Sequence, residues 1–331
     1  MNYLYFNMSC KVTIGNLVFE RVNAIKIEQS IKKQSDTAKI ILPREYRSVI
    51  IDNKLGSIAQ KNITDFIKVG DAVSISLGYD GDNVEEFAGY VTSIGADVPL
   101  EIECEDEMFK LRRSNFVKVF PSVNLLDLLK YIAPDYKYNV IDNINLGKFS
   151  IANVSAFKVL ESLRTNYGLF SYFVGKTLTI GFAISIVPQK VHDINFNRNV
   201  RANESNDLKF VKKEDLKLLL KGIALNKKGK RLNYEFGDKN GSQRTLHFTD
   251  KTLDELKELT QKTYKSLNFD GYKGKIPTWG IPRTKAGEGV YLTDPNIEKS
   301  ERNGKYLIEG VEINFNSTDG FKRDNELGLK L

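Results

Sequence analysis

Residues 71–79 alternate without a break. Val73, Ile75, Leu77 and Tyr79 fall on one side, and small or polar residues fall on the other. A two-residue period is what a strand with one buried face needs, because successive side chains point to opposite sides of the pleat. Asp80-Gly81 follows directly. Both residues accept the positive φ that a two-residue hairpin turn demands. An alternating run that ends on such a turn folds back antiparallel, so this part of the chain is bound to a sheet. Short β-rich runs recur around it, at 22–27, 37–42, 86–94 and 100–104. One helix, predicted over 58–67, interrupts the series. Many short strands with frequent turns suggest a barrel or a sandwich.

The character changes near residue 116. Ser122 is placed to cap a helix through Leu125, Leu126, Leu128, Leu129 and Ile132, which ends before Pro134. A second helix starts near Ser155. Its apolar positions Phe157, Val159, Leu160, Leu163 and Tyr167 keep helical spacing, and Gly168 is its C-terminal stop. Strands at 169–174 and 177–182 follow, joined by Gly175-Lys176.

From about 186 the pattern returns to β. An apolar stretch at 217–226 reads as a buried strand. Runs at 230–237 and 242–248 flank Asp238-Lys239-Asn240-Gly241, a hairpin signal. A helix over 252–267 turns Leu253, Leu256, Leu259 and Tyr264 inward, with Asp254 and Glu255 in its first turn, where the dipole favours acids. Residues 305–315 alternate again. The fold class is mainly β with an α+β insertion, divided as 1–115, 116–185 and 186–331. The outer parts are alike in type, which suggests a structural duplication.

Chemistry is sparse. The two histidines, His192 and His247, sit in no nucleophile–base arrangement, and no Gly-x-Ser-x-Gly elbow is present. Cys10 and Cys104 are too few and too far apart for a disulfide framework or a zinc site. Cys104 alternates with Glu101, Glu103 and Glu105 and reads as inward-facing, leaving the glutamates on a solvated face. Gly271–Lys275 is rich in glycine and lysine but follows a predicted helix, the reverse of a phosphate loop. No cofactor, metal or catalytic residue is expected, and the protein is expected not to be an enzyme. No export signal and no stretch of about 18 uncharged apolar residues is visible, so no membrane insertion is expected.

The net charge of +7 lies entirely in residues 186–331. It is densest between Lys209 and Arg231, with nine basic residues against Glu214 and Asp215. Lys227, Lys228, Lys230 and Arg231 form its tip. A charged hairpin tip and a patch for an acidic partner are both open readings. Tyr234 and Phe236 alternate with Glu235 and look like core, not like stacking platforms for bases. Trp279 lies in Pro277-Thr278-Trp279-Gly280-Ile281-Pro282, a loop held by two prolines. It is either an interface anchor or a plug against the sheet.

Motif order adds a resemblance. The late segment reads Gly271-Tyr272-Lys273-Gly274, Trp279-Gly280-Ile281-Pro282 and Gly287 to Asp294. It closes on Gly304 to Val311 and Gly320-Phe321-Lys322-Arg323-Asp324-Asn325-Glu326-Leu327-Gly328. Phe66 to Ile75 and Phe87 to Ile94 supply two front strands, and the middle helix pair with Leu169 to Phe173 supplies an insertion. This set resembles the baseplate hub family of contractile-tail phages, the late control protein D type, over almost the whole chain. It departs from the family's usual Gly-Asp at Gly287-Glu288-Gly289.

The resemblance implies two tail-tube-like β-barrel domains plus a small α/β domain. It implies a homotrimer whose six similar domains form a pseudo-sixfold ring between a sixfold tail tube and a threefold spike. Expected partners are the chain itself, the tail spike protein and a tail tube or distal tail protein, with DNA or effectors passing the lumen. The expected place is the virion tail baseplate, assembled in the host bacterial cytoplasm. Lys227, Lys228, Lys230, Arg231 and Trp279 are the expected interface or lumen residues. Two other readings compete: a nucleic-acid-contacting tail protein using 209–231, and a tail-associated cell-wall hydrolase working through a carboxylate pair.

Overall fold

A computed structural model describes residues 7–43, 45–52, 54–59, 63–96, 98–201, 207–225, 230–249, 251–296 and 303–331. The chain is mainly β, with 55% of residues in strands and 16% in helices. The first hairpin forms as its sequence requires. Ala72–Tyr79 pairs antiparallel with Asp82–Ile94, and Tyr79 faces Asp82 across the turn. Asp80 and Gly81 both take positive φ, 53° and 87°.

One 15-stranded sheet contains strands from both ends of the chain. Its path runs Lys209–Val211, Gly271–Trp279, Gly320–Lys330, Gly304–Asn316, Ala24–Ser30, Thr37–Leu42, Leu100–Glu105, Asp82–Ile94, Ala72–Tyr79, Met8–Ile14, Leu17–Phe19, Glu45–Ile51 and Lys54–Ala59. Val191–Asn195 and Gly289–Thr293 join through Gly304–Asn316. The path ends on two free edges, and no closed barrel occurs among the described residues. The join between the first and last parts is the antiparallel ladder from Gly310↔Ser30 to Asn316↔Ala24. A single apolar core follows the join, with Val12, Ile27, Ile40 and Ile102 packed in the same cluster as Ile276, Ile308, Ile313 and Phe321.

The middle unit has its own core, built from Leu125, Leu128, Leu129, Phe157, Leu160, Leu163, Leu178 and Ile180. Helix Ala156–Tyr167 is capped by the Ser155 side chain, which accepts from the Lys158 amide, and it ends on left-handed Gly168. The first helix, Leu125–Ile132, departs from expectation. Its cap is Asn124, whose side chain accepts from the Asp127 amide, while Ser122 lies in the preceding strand Asn115–Asn124. Pairing of that strand with Asn145–Ser155 breaks after Phe120↔Phe149, resumes at Val123↔Gly147 and runs to Asn124↔Asn145, which leaves Ser122 in the extended stretch between. The expected helix over 58–67 is also corrected. Lys54–Ala59 is a strand and Ile63–Phe66 a single helical turn, with 60–62 outside the described residues.

The hairpin expected at 238–241 does not form. Arg231–Gly237 and Ser242–Thr249 do not pair with each other; they lie on opposite sides of Leu218–Leu225, one antiparallel and one parallel. The connection crosses the start of the central strand, where the Asp238 amide donates to the Leu218 carbonyl and the Ser242 amide to the Lys217 carbonyl, both at 2.9 Å. Apolar Leu218–Leu225 wins the central place because it has neighbours on both edges and Leu219 and Leu220 are buried. The crossing depends on Gly237, at φ 118°, and Gly241, because a side-chain carbon on either would strike the backbone of Lys217 or Leu218.

Helix Leu253–Leu267 covers this small sheet and starts with a full capping box between Thr252 and Glu255. Its buried stripe is Leu256, Thr260 and Thr263; Leu253 is exposed. Each buried threonine hydroxyl donates to the carbonyl one turn back, Leu256 and Leu259 respectively, so no donor is left unsatisfied. The small residues let the helix approach Gly222 closely.

Gly241→Ala is expected to destabilise this unit by about 1–3 kcal/mol through overpacking. The loss is read as a lower urea midpoint. Gly175→Ala is the control: its φ is 58° and nothing lies within 4 Å of the added carbon. It carries only left-handed strain, about 1 kcal/mol.

Candidate functional site

The outer face of the joined sheet is polar. Inward positions on its strands are Ile25, Ile27, Ile40, Ile102, Ile313 and Phe315. The alternate positions face away from the core, and cross-strand register lines them up. One row runs Lys322, Asn314, Lys26, Lys39 and Glu103; the next runs Asp324, Glu312, Glu28 and Thr37. Lys26 reaches Glu28 at 3.0 Å and Glu312 at 3.2 Å, and Lys33 reaches Glu28 at 2.6 Å. Lys39 meets Glu101 at 2.7 Å. Hydrogen bonds from Lys33 and then Lys26 hold the Glu28 carboxyl below the usual carboxylate range. Both ends of the chain thus contribute to one charged face with opposite signs interleaved.

The expected row of exposed glutamates is only partly present. Glu103 is exposed and Glu101 half-buried, but Glu105 is buried and bound by Arg112 Nε at 2.9 and 3.0 Å. A buried carboxylate needs such a partner, which the sequence pattern alone does not display. Cys104 is buried as expected, and burial pushes its thiol up to about 12. Burial likewise pushes Cys10 up to about 11, so neither thiol is a thiolate at neutral pH.

Beneath this face lies a group of residues that the sequence pattern conceals. Strand Gly320–Lys330 places Phe321, Arg323, Asn325, Leu327 and Leu329 inward. Arg323 is wholly buried. Its guanidinium donates to the Gly280 carbonyl at 2.8 Å, to the Thr284 carbonyl at 3.0 Å and to Glu86 Oε1. Arg283 donates to the same Glu86 oxygen at 3.0 Å and to the Leu77 carbonyl at 2.7 Å. Thr284 Oγ1 donates to Asn325 Oδ1 at 2.5 Å, and Asn325 Nδ2 donates to the Ile276 carbonyl.

Glu86 points inward because of a β-bulge. Ser76 pairs with Glu85 and Ile75 with Phe87, so Glu86 is the extra residue. Bulges re-aim side chains in this way. Gln29 Nε2 donates to the Glu86 carbonyl at 2.9 Å. The period-two register of Phe321, Leu327 and Leu329 was the available signal for a buried Arg323. The bulge left no signal.

A cavity of about 1090 Å³ opens where the first β part, the middle unit and the 285–288 loop meet. Glu86, Asp36, Asp106, Tyr172, Lys285 and Glu288 are among its lining residues. His192 Nε2 lies 2.7 Å from Glu288 Oε2, so this histidine is tied to the cavity wall. Among the described residues no group of three or more His, Cys, Asp or Glu is placed to hold a metal, and no helix is long and apolar enough to cross a membrane.

The sequence-predicted residues lie elsewhere. Lys227 and Lys228 fall outside the described residues. Lys230 and Arg231 are exposed at the start of Arg231–Gly237. In the same basic segment Lys212 pairs with Glu214, Lys213 with Asp270 and Lys221 with Glu235. Tyr234 and Phe236 pack under the helix, with Phe236 edge-on to Tyr264 and the Tyr234 hydroxyl accepting from Gln261 at 2.9 Å. Trp279 ends strand Gly271–Trp279, so the proline-held loop begins only at Gly280. Its ring is 48% exposed, and the Arg201 guanidinium stands 4.5 Å over it.

No protein-family model and no curated protein sequence matches the chain. Solved structures do. The chain is similar to the tail protein from Neisseria meningitidis MC58 at a TM-score of 0.62 and 16% identity, covering 98% of this chain and 97% of that one. It is similar to the prophage MuSo2 43 kDa tail protein from Shewanella oneidensis at 0.61 and 13%, covering 97% of each. It is also similar to the E. coli c3393 protein, a component of the type VI secretion system with structural similarity to T4 bacteriophage tail proteins gp27 and gp5. That match has a TM-score of 0.56 and 9% identity, covering 98% of this chain and 75% of that one. The chain therefore has the fold of phage tail proteins and of tail-related secretion components.

Arg323→Met is expected to lower stability by about 3–5 kcal/mol, because it leaves the Glu86 charge buried with one fewer partner. Glu86→Gln is expected to cost a similar amount. The double variant should cost less than the sum, since each single change exposes the other's loss. Urea midpoints of the three variants measure this.

Proposed function

We propose that the chain is a structural, non-enzymatic subunit of the baseplate hub of a phage or phage-like contractile tail. Three copies would form a ring that adapts a sixfold tail tube to a threefold spike. The observation that carries this reading is likeness to tail proteins over whole chains, with 97–98% of this chain and 97% of the first two neighbours covered. A match of that extent takes in both β parts and the insertion together.

The reading assigns tube-like barrel domains to 1–115 and 186–331 and the α/β unit to 116–185. Two features support a duplication. Each outer part contributes one long hairpin to the sheet, Ala72–Ile94 in the first and Gly304–Lys330 in the last. The two parts lie side by side in one ladder, as neighbouring units of a ring would. Three chains with two such units present six similar faces. The interleaved charges of the outer face suit the wall of a passage, where a cargo such as DNA or a folded effector must slide without adhering. In this assignment the partners are further copies of the chain, the spike, and a tube or distal tail protein. Trp279, Lys230 and Arg231, with Lys227 and Lys228, are its interface or lumen residues. The place of action is the tail baseplate of the virion.

Light scattering on the chain mixed with the spike protein of its own tail tests the proposal. The expected mass contains three copies of each, and a mixture that stays monomeric overturns it. Trp279→Ala is expected to weaken the association about tenfold or more, as loss of an aromatic anchor does. It should leave the melting temperature nearly unchanged, because the ring is half exposed.

A further inference from the structure

The cavity between the β body and the α/β unit carries titratable groups for which the hub reading has no use. Asp36 and Asp106 both line it. Backbone bonds fix them beside each other: the Asp36 amide donates to Asp106 Oδ2 at 3.1 Å, and the Asp106 amide donates to the Asp36 carbonyl at 3.1 Å. Each carboxyl also fixes a segment of the β body that borders the α/β unit. Asp36 Oδ1 accepts the Ser30 amide at 3.0 Å, and Asp106 Oδ1 accepts the Met108 amide at 2.9 Å. Asp106 is buried and Asp36 half-buried.

The residues around this pair dock the α/β unit. Gln34 Nε2 donates to the Phe157 carbonyl, the Tyr136 hydroxyl donates to Glu107 at 2.8 Å, and Arg112 stands 3.3 Å over the Phe157 ring. Ile31 packs with Tyr172, Ile186 and Leu307.

The wall is already rich in acceptors. Gln29 Oε1 and Glu86 Oε2 are buried atoms without a hydrogen-bond donor, and both residues line the same cavity. Other charges that face the pair are committed. Glu105 is held by Arg112, Glu107 by Lys110, Tyr90 and Tyr136, and Glu288 by His192 and the Lys285 amide. Lys285 acts on Asp36 through space, and Lys176 and Lys190 stand on the rim. In such surroundings a neutral carboxyl contributes a donor, and an ionised one adds a further unneeded acceptor.

We propose that this seam is a proton-operated latch: with Asp36 and Asp106 protonated the α/β unit stays docked on the β body, and their ionisation loosens it. The electrostatics agree in direction. Burial, opposed by the Ser30 amide and Lys285, raises Asp36 to about 7. Burial and then the neighbouring Asp36 charge hold Asp106 well above the carboxylate range, against the Met108 and Asp36 amides. The unfolded chain ionises these groups near pH 4. The folded state therefore binds the protons more tightly, and its stabilisation is full below about pH 4 and is lost as pH rises through the folded values. The latch holds in mild acid and releases above neutrality.

Hydrogen exchange on the full chain at pH 6 and pH 8.5, corrected for the intrinsic rate of each pH, tests this without reference to any tail partner. Wild type is expected to lose protection about tenfold, one pKa unit's worth, at 29–36, 106–112 and 156–173 on going to pH 8.5. Strands Thr37–Leu42 and Gly304–Asn316 should not respond. Asp106→Asn and Asp36→Asn should abolish the difference. Equal seam protection at both pH values, or a pH response that survives in the Asn variants, overturns the proposal. Should Asp106→Asn not fold, Asp36→Asn at the half-buried position still decides.

Discussion

A carboxylate shared by two guanidinium groups joins the elements that make the body of this molecule. Glu86 sits in the first β part, and Arg283 and Arg323 come from the last. Wholly buried Arg323 and partly exposed Arg283 against one buried anion is an expensive arrangement, because Arg323 and Glu86 have left water. It is tolerated because the two guanidinium groups also donate to four fixed carbonyls: Leu77, Asp82, Gly280 and Thr284. Those carbonyls lie on the first hairpin and on the 280–284 segment. The clasp therefore sets the position of a long loop against a hairpin nearly 200 residues earlier, and that loop forms one wall of the cavity. A slip of one residue in strand Gly320–Lys330 would turn Arg323 outward and leave Glu86 without it, so the pair also fixes register.

Register matters because the sheet has two different faces. Its inner side carries the apolar core of both parts, and its outer side carries paired lysines and glutamates. The ladder Gly310–Asn316 against Ala24–Ser30 makes this one surface instead of two. A plate built so is stiff along its length and weakly adhesive on its charged side.

Much of this was legible. Alternation located Ala72–Tyr79 and Gly304–Asn316, Ser155 and Gly168 bounded their helix, and Thr252 with Glu255 began another. Failures came where a tertiary neighbour overrode a local signal. Asp238 to Gly241 is a good hairpin sequence, yet the apolar strand Leu218–Leu225 takes the place between the two flanking strands. Ser122 is a good cap, but strand Asn115–Asn124 runs past it and hands the role to Asn124. Glu86 opens the strand predicted over 86–94, and nothing local turns it inward, because a bulge depends on the partner strand and has no mark of its own. Arg323 carries no local mark of burial beyond sharing the inward side with Phe321, Leu327 and Leu329. The basic segment 209–231 drew attention by its count, and structure disperses it among Glu214, Asp270 and Glu235.

The two junctions in the molecule use different chemistry, and the difference follows from what each must survive. Between the β parts the fastening is a backbone ladder and arginines, whose charge does not titrate in any ordinary range. Their shared acceptor, Glu86, is wholly buried. Between the body and the α/β unit the contacts are the Tyr136 hydroxyl on Glu107, Arg112 over the Phe157 ring, the apolar cluster of Ile31, Tyr172, Ile186 and Leu307, and Met108 and Leu111, which are buried in the unit's own core. Asp36 and Asp106 lie on the body side of that seam and line the cavity beside it. In the latch proposed above, proton occupancy of that pair adjusts the docking that these contacts establish.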